Sequence, residues 1–301
     1  MFPKVPDQHK PSRPLVPNGL GVIYVLASVV YIFLIYFIGL VKAPIGIAPS
    51  LPLILTSERA LILAASILFG GFLGMLDDWI DLKWRLKAFL PLIAAIPLIS
   101  FAYGWGTART TIVIPLLGTI DFGIYYYFII IPILVAIVTN AVNMLGGLNG
   151  LETVCPAIIM VGLMTVSGSN AILLICPMIV WIILAFFNFR GKIFVGNTGS
   201  FAIGMTLAAF AVISDLKFDL AISILPYVLN SSLILLTFFF YKKKANVSFD
   251  GKKLASDHRR SLITLITYHH PLTERQVVTI ISLLVAASTA VVLLARALMI
   301  L

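Results

Sequence analysis

Charge is what this 301-residue chain has least of: 11% of its residues are Asp, Glu, Lys or Arg, and the acids number only 12. Soluble globular domains carry about a quarter charged residues, so no separate soluble domain fits here. Cysteine is almost absent. Cys155 and Cys176 both sit in apolar stretches, which excludes a disulfide framework and a thiolate metal site and leaves packing as their role. No internal repeat or low-complexity tract is present, which argues against transporter folds built from inverted repeats. Nor does any basic domain stand apart from the apolar runs, so nucleic acid is not an expected partner.

What the chain has in abundance is apolar surface: 60% of its residues are hydrophobic and the mean hydropathy is +1.08. The bilayer is then its solvent. A helix needs about 20 apolar residues to cross the hydrocarbon, and such stretches recur at 19–41, 58–76, 86–104, 122–140, 151–167, 170–188, 199–214, 219–240 and 275–300. The expectation is an all-α polytopic integral membrane protein of about nine transmembrane helices, forming a single domain over 1–301. The first run is too long for a cleaved signal peptide and no small-residue cleavage site follows it before Lys42, so it is read as a span. Between helices three and four, the TTIVIP run and Gly118 predict a small hairpin on the outer surface.

Short cytosolic loops carry an excess of Lys and Arg. With nine helices and the N-terminus inside, 16 of the 21 basic residues fall on the inner side, as do all four histidines. The net charge of +9 therefore belongs mostly to one face, where it meets anionic head groups or a phosphate-bearing ligand. The expected location is a cell membrane, with the active site cytosolic.

Four polar segments fall on that face. GMLDDWIDLKWRLK ends an apolar helix with Asp77, Asp78 and Asp81, followed by Lys83, Arg85 and Lys87. Three carboxylates within five residues repel one another unless a cation neutralises them, and hard oxygen donors suit Mg²⁺. A helix end showing its charges to water is the plainer alternative. In NAVNMLGGLNGLE, Asn143 falls one turn beyond Thr139 if the helix continues, and three glycines let the backbone approach a ligand. A glycine-rich reverse turn explains the same residues. RGKIFVGNTGSFAIG leads into helix seven, with Thr198 or Ser200 placed to cap an anion-friendly helix start; a plain capped turn reads equally well. The long cytosolic segment 241–274 carries His258, Arg259, Arg260, His269, His270 and Glu274. Arginine forks grip phosphate and histidine shuttles protons. Zinc is not expected, because adjacent His269 and His270 cannot readily share one ion. Together the segments describe an acidic, metal-capable patch beside a phosphate-binding one, at the depth of a lipid head group.

DDWIDLKWRLK, NAVNMLGGLNGLE and FVGNTGS, in this order, resemble the polyprenyl-phosphate N-acetylhexosamine-1-phosphate transferases. Counting the arm DQHKPSRPLVPNGLG and the late HRR loop, the resemblance covers about 7 to 275. It leans towards the eukaryotic and archaeal enzymes that act on dolichyl phosphate, since the bacterial second motif carries Asp where Gly146 and Asn149 stand here. The resemblance implies transfer of GlcNAc-1-phosphate from UDP-GlcNAc to a polyprenyl phosphate with release of UMP, as an early membrane step of glycan assembly, in the endoplasmic reticulum if the source is eukaryotic. It implies Mg²⁺, with Mn²⁺ as a substitute, and leaves a homodimer open. By motif position, Asp77, Asp78 and Lys87 are the catalytic group, with the role of the two acids as base or organiser left open. Asn143 and Asn197 are the metal ligands, Asn149 and Phe194 the uracil pocket, and Trp84 a wall near the sugar. Lys10, Asn18, His258, Arg259 and Arg260 bind substrate.

Two departures stand out. The third motif usually carries Asp where this chain has Asn197, and a neutral amide is a weaker Mg²⁺ ligand than a carboxylate. One helix that usually precedes the arm is also missing, which the nine-helix charge count accommodates. Other readings are transfer of a different UDP-N-acetylhexosamine or of MurNAc-pentapeptide phosphate, an inactive nucleotide-sugar-binding homologue, and a lipid-phosphate transporter. The last would place charges inside the helices rather than at loop edges.

Overall fold

The computed structural model describes residues 2–42, 52–104, 109–114 and 118–298. It is helical almost throughout. In chain order the helices are α1 Gly21–Lys42, α2 Pro52–Ile80, α3 Trp84–Ala94, α4 Ile96–Gly104, α5 Ile131–Met144, α6 Leu151–Val166, α7 Ile175–Phe189, α8 Gly196–Ile213, α9 Lys217–Ser223, α10 Leu225–Leu236, α11 Leu262–Ile266 and α12 Glu274–Ala297. A π turn, Tyr126–Ile130, precedes α5, and a 3₁₀ turn, Gly168–Leu174, precedes α7.

Every apolar run found in the sequence is helical, but the expected nine spans are not reached. Among the described residues, seven runs are long and apolar enough to cross a membrane, or eight if α9 and α10 count as one. The difference has local causes. α10 starts directly after Ile224 with Pro226 as its second residue, and the α9–α10 run bends there by 61°. α6 has 16 residues, short of the length a perpendicular span needs.

The outward faces are those of a protein solvated by lipid. Phe37, Phe72, Phe89, Phe239 and Leu283 are all more than half exposed, and in water such continuous apolar faces would aggregate. The chain is a multi-pass membrane protein. At its centre stands α8, where every residue from Thr198 to Ile213 is buried. Small residues permit this: a Cβ on Gly21 would fall 2.2 Å from the Gly199 Cα, and one on Gly74 would fall 2.1 Å from the Asn197 carbonyl oxygen. Close backbone approach of this kind drives helix association in lipid, where the hydrophobic effect between helices is lost.

Three two-stranded hairpins decorate the bundle. β1 Lys4–Pro6 pairs with β2 Leu15–Pro17, folding the N-terminal arm onto itself. β3 Thr111–Ile114 pairs with β4 Gly118–Asp121, which is the hairpin expected between 105 and 121, although 105–108 lie outside the described residues. β5 Ser248–Phe249 pairs with β6 Leu254–Ala255, so the segment 241–274 is folded rather than a plain loop and also contains α11.

Polar contacts collect at two opposite ends. At one, the arm, the α2–α3 turn, the α5–α6 turn, the α7–α8 turn and the start of α12 meet. At the other, Arg59 donates to Asn170 at 2.8 Å, Asn170 to Ser214 at 3.1 Å, Lys217 pairs with Asp215 at 2.8 Å, and Arg296 grips Asp219. All the motifs singled out in the sequence lie at the first end.

Candidate active site

α2 runs past its expected end at residue 76, so Asp77 and Asp78 lie on its last turn rather than in a loop. Asp81, with φ +46°, ends the helix, and α3 begins three residues later, which returns Lys87 to the acids. Asp77 is 3% exposed. Its Oδ1 accepts from the Lys87 ammonium at 2.8 Å and from the Leu82 N–H at 2.9 Å, while its Oδ2 is buried and without a partner. A buried carboxylate held by one cation, with a free oxygen, is an expensive arrangement unless something else uses that oxygen.

Asp78 is occupied differently. Its Oδ1 accepts from the Asn197 N–H at 2.9 Å, and its Oδ2 from the Thr198 N–H at 2.9 Å and the Thr198 hydroxyl at 2.7 Å. The cap of α8 is therefore a carboxylate from another helix, not Thr198 or Ser200 as expected. The residue at the cap position, Val195, has no acceptor to offer. Gly74, one turn before Asp78 on the same face of α2, permits the approach.

Asn143 falls on α5, which continues past Asn140. Its Oδ1 accepts from the Ser200 hydroxyl at 2.7 Å, and that hydroxyl also lies 3.3 Å from the Asn197 carbonyl. Ser200 thus links the two residues expected to hold a metal. Among the described residues no group of three His, Cys, Asp or Glu could hold a metal ion. The donors expected there are the amide oxygens of Asn143 and Asn197, with Glu152 in the first turn of α6 close by, since a Cβ on Gly146 would meet the Asn143 carbonyl at 3.5 Å and Glu152 Oε1 at 3.8 Å. Such a hard but weakly charged set fits a magnesium-type cation only if phosphate oxygens complete the shell.

Asn149 lies in the turn after α5 and is 5% exposed. Its backbone N–H donates to Glu274 Oε1 at 2.7 Å, and its side-chain NH₂ donates to Asp7 at 2.8 Å and Glu274 at 3.0 Å. Its Oδ1 is buried without a partner. Lys10 pairs with Asp7 at 3.3 Å and fills the space above Gly191, whose φ is +63°. Asn188 joins the two motif turns: its Oδ1 accepts from the Gly150 N–H at 2.8 Å and its NH₂ donates to the Ile193 carbonyl at 2.8 Å. Phe194 is stitched to the arm through its backbone, donating to Pro17 and accepting from Leu20. Asn18 reaches the same turn, its Oδ1 lying beside Gly196.

Beside Asp77 and Lys87 opens a groove of about 760 Å³ between α3, α5 and α10, with Trp84, Lys87 and Asn143 at its polar end and Ile137, Leu235 and Phe238 along its walls. The half-exposed Trp84 packs edge-on against Phe238 and Phe239, each with ring centres 5.8 Å away.

The HRR residues have contacts of their own. His258 contacts Ser256 at 3.2 Å, Arg259 stacks 4.2 Å over the Tyr268 ring, and Arg260 donates to the Lys244 carbonyl at 3.0 Å. Lys244 lines the groove, so Arg260 touches the site through it. Sequence reading singled out Asp77, Asp78, Lys87, Asn143, Asn149 and Asn197, which the structure brings to one end. It assigned no role to Asp7 or Asn188, saw Ser200 only as a candidate helix cap, and placed Glu274 only in a basic cluster. No spacing rule connects these positions, which lie up to 142 residues from their partners.

Residues 60–215 match the family model described as glycosyl transferase family 4. A protein of Saccharolobus solfataricus, provisionally named a UDP-N-acetylglucosamine–dolichyl-phosphate N-acetylglucosaminephosphotransferase, is 33% identical over 91% of this chain and 82% of its own length. The enzyme of that name from Saccharomyces cerevisiae is 27% identical over 74% of this chain and 58% of its own. A phospho-N-acetylmuramoyl-pentapeptide-transferase of Clostridioides difficile is 32% identical over 48% of the chain and 50% of its own.

Proposed function

The chain belongs to glycosyl transferase family 4, and from that membership we propose that it transfers GlcNAc-1-phosphate from UDP-GlcNAc to dolichyl phosphate or a related polyprenyl phosphate. The observation that carries the reading is the buried, half-satisfied Asp77 paired with the partly exposed Lys87, which lines a largely apolar groove. A lipid tail suits the groove walls, and a lipid phosphate suits the ammonium at its end. The lipid phosphate oxygen attacks the sugar-bearing phosphorus of UDP-GlcNAc; the bond from that phosphorus to the bridging oxygen breaks, and UMP leaves. The obstacle is the approach of two anions, which Lys87 relieves and Asp77 orients. Asp78 positions the start of α8, and with it Asn197, rather than meeting the reacting atoms. A magnesium-type cation held by Asn143 and Asn197 would neutralise the donor's diphosphate. His258, Arg259 and Arg260 supply further positive charge for substrate phosphate, Arg260 being joined to the groove through Lys244.

The basic excess at the motif-bearing end supports a cytosolic active site, supplied with nucleotide sugar from that side. Relatives that transfer phospho-MurNAc-pentapeptide match about half of the chain, whereas the dolichyl-phosphate relative from S. solfataricus matches nearly all of it, which favours GlcNAc as donor. The test is UMP release by purified protein from UDP-GlcNAc, with and without polyprenyl phosphate and Mg²⁺. Lipid-dependent release supports the transferase. Nucleotide binding without release points to an inactive homologue, and lipid movement without release to a transporter.

A further inference from the structure

Asn149 is held in a way that decides which of its two amide atoms a ligand meets. Its NH₂ faces two carboxylates, Asp7 at 2.8 Å and Glu274 at 3.0 Å, and Glu274 takes the backbone N–H of the same residue at 2.7 Å. Carboxylates only accept, so the nitrogen must point at them and the flip of the amide is fixed by chemistry. That leaves Oδ1, buried and without a partner. Gly191 adjoins that oxygen: a Cβ there would sit 3.3 Å from Oδ1 and 1.8 Å from the Lys10 ammonium, which fills the space above it. The carboxylates come from opposite ends of the sequence, Asp7 from the hairpin arm, 1% exposed, and Glu274 from the first turn of α12. Asp7 is buried and shared with Lys10 at 3.3 Å, and Glu274 is half-buried; two neutral carbonyls would satisfy the two N–H donors of the amide, so carboxylates are more than it needs.

We infer that Asp7 and Glu274 are specificity-determining positioning residues, which clamp the Asn149 amide so that it presents only an acceptor to the nucleotide base. The inference rests on the proposal that Asn149 faces the donor's base. A uracil ring offers an N–H at N3 to such an acceptor. A cytosine ring offers a lone pair there, which an unpaired oxygen repels. A buried acceptor facing an acceptor is the kind of mismatch that polar sites reject strongly.

The experiment measures binding of UMP, CMP and N3-methyl-UMP to the purified full chain, its D7N and E274Q variants and the double variant, with thermal melting alongside to confirm folding. Each substitution lets one neighbour donate as well as accept and loosens the clamp, and the double variant, which leaves no carboxylate at the NH₂, lets the Asn149 amide turn over. The wild type is expected to bind UMP at least 10-fold more tightly than CMP or N3-methyl-UMP. Each single variant should narrow the UMP-to-CMP ratio several-fold, chiefly by weakening UMP, and the double variant should bring it near one. A general packing defect would weaken both nucleotides alike and leave the ratio unchanged; that outcome in every folded variant overturns the clamp while leaving the uridine reading intact. A wild type that does not separate UMP from CMP overturns the uridine reading and the clamp with it. If the double variant does not fold, the two single variants decide.

Discussion

The two polar ends of this bundle handle charge in opposite ways. At the end bearing Arg59, Asp215, Lys217, Asp219 and Arg296, the acids Asp215 and Asp219 each lie against a basic partner. Lys217 is spent on Asp215, on the Arg109 carbonyl and on the face of the Tyr126 ring. At the other end, the buried atoms Asp77 Oδ2 and Asn149 Oδ1 have no partner, and the Asn149 NH₂ meets two carboxylates, one of them shared with Lys10. Both ends face the same bilayer and are built from the same few charged residues. Closed ion pairs hold hairpins and helix ends in place, and neutral hydroxyls such as that of Tyr126 are left without a partner there too, whereas a buried carboxylate oxygen left open marks where a ligand can complete the structure.

Breaking one pair at each end tests that contrast. Lys87→Met should lower lipid-dependent UMP release by about 10³-fold, the cost of removing a cation that acts on developing charge in a low-dielectric site. Arg296→Met at the opposite end should leave turnover within about threefold of wild type at low temperature, yet destabilise the fold by about 3 kcal/mol, because Asp219 is then buried without its partner. The first effect is read in a turnover assay and the second in a detergent melt. A Lys87 variant that keeps a tenth of its turnover, or an Arg296 variant that loses most of its own, removes the distinction between the ends.

Within the motif-bearing end, Asp77 and Asp78 extend the comparison to adjacent residues. Asp77→Asn should approach the loss seen for Lys87→Met. Asp78→Asn should cost about 10-fold in turnover and about 1–2 kcal/mol in stability, because it exchanges a carboxylate cap for an amide whose nitrogen cannot accept the Asn197 and Thr198 N–H groups. Equal losses in turnover with equal melting temperatures would show that both acids act on substrate.

How far the sequence carries this picture depends on the range of each interaction. Apolar periodicity and length placed every membrane helix, since they depend on local composition. They missed the break at Ile224, where a proline at a helix start does not announce whether the chain will bend, and the shortness of α6 as a span. The motif segments exposed Asp77, Lys87, Asn143, Asn149 and Asn197 because the acids, amides and glycines stand out in apolar surroundings. Their division of labour was not legible. That Asp78 caps α8 depends on Gly74 meeting the Asn197 carbonyl, more than 100 residues away in the chain. That Asp7 and Glu274 meet at Asn149 depends on the whole bundle closing. The basic residues at 258–260 had the right chemistry, but Arg259 and Arg260 are engaged by Tyr268 and the Lys244 carbonyl, which no spacing predicts.

The smallest expected effect concerns Asn197, the one place where the motif-bearing end carries less negative charge than its chemistry favours. Asn197 is the second residue of α8, where the helix N-terminus favours a carboxylate by about 0.3–1 kcal/mol. Asp78 already accepts the backbone N–H of the same residue and sets a like charge close by, which offsets part of that gain. A second carboxylate near Asn143 would bind a divalent cation more tightly than an amide does. Asn197→Asp is therefore expected to raise turnover by about three- to tenfold in a radiolabelled transfer assay and to lower the Mg²⁺ concentration needed for half-maximal rate. Unchanged or lower turnover, with the Mg²⁺ requirement also unchanged, would mean that the repulsion from Asp78 outweighs both gains and that an amide at position 197 is what this arrangement of acids requires.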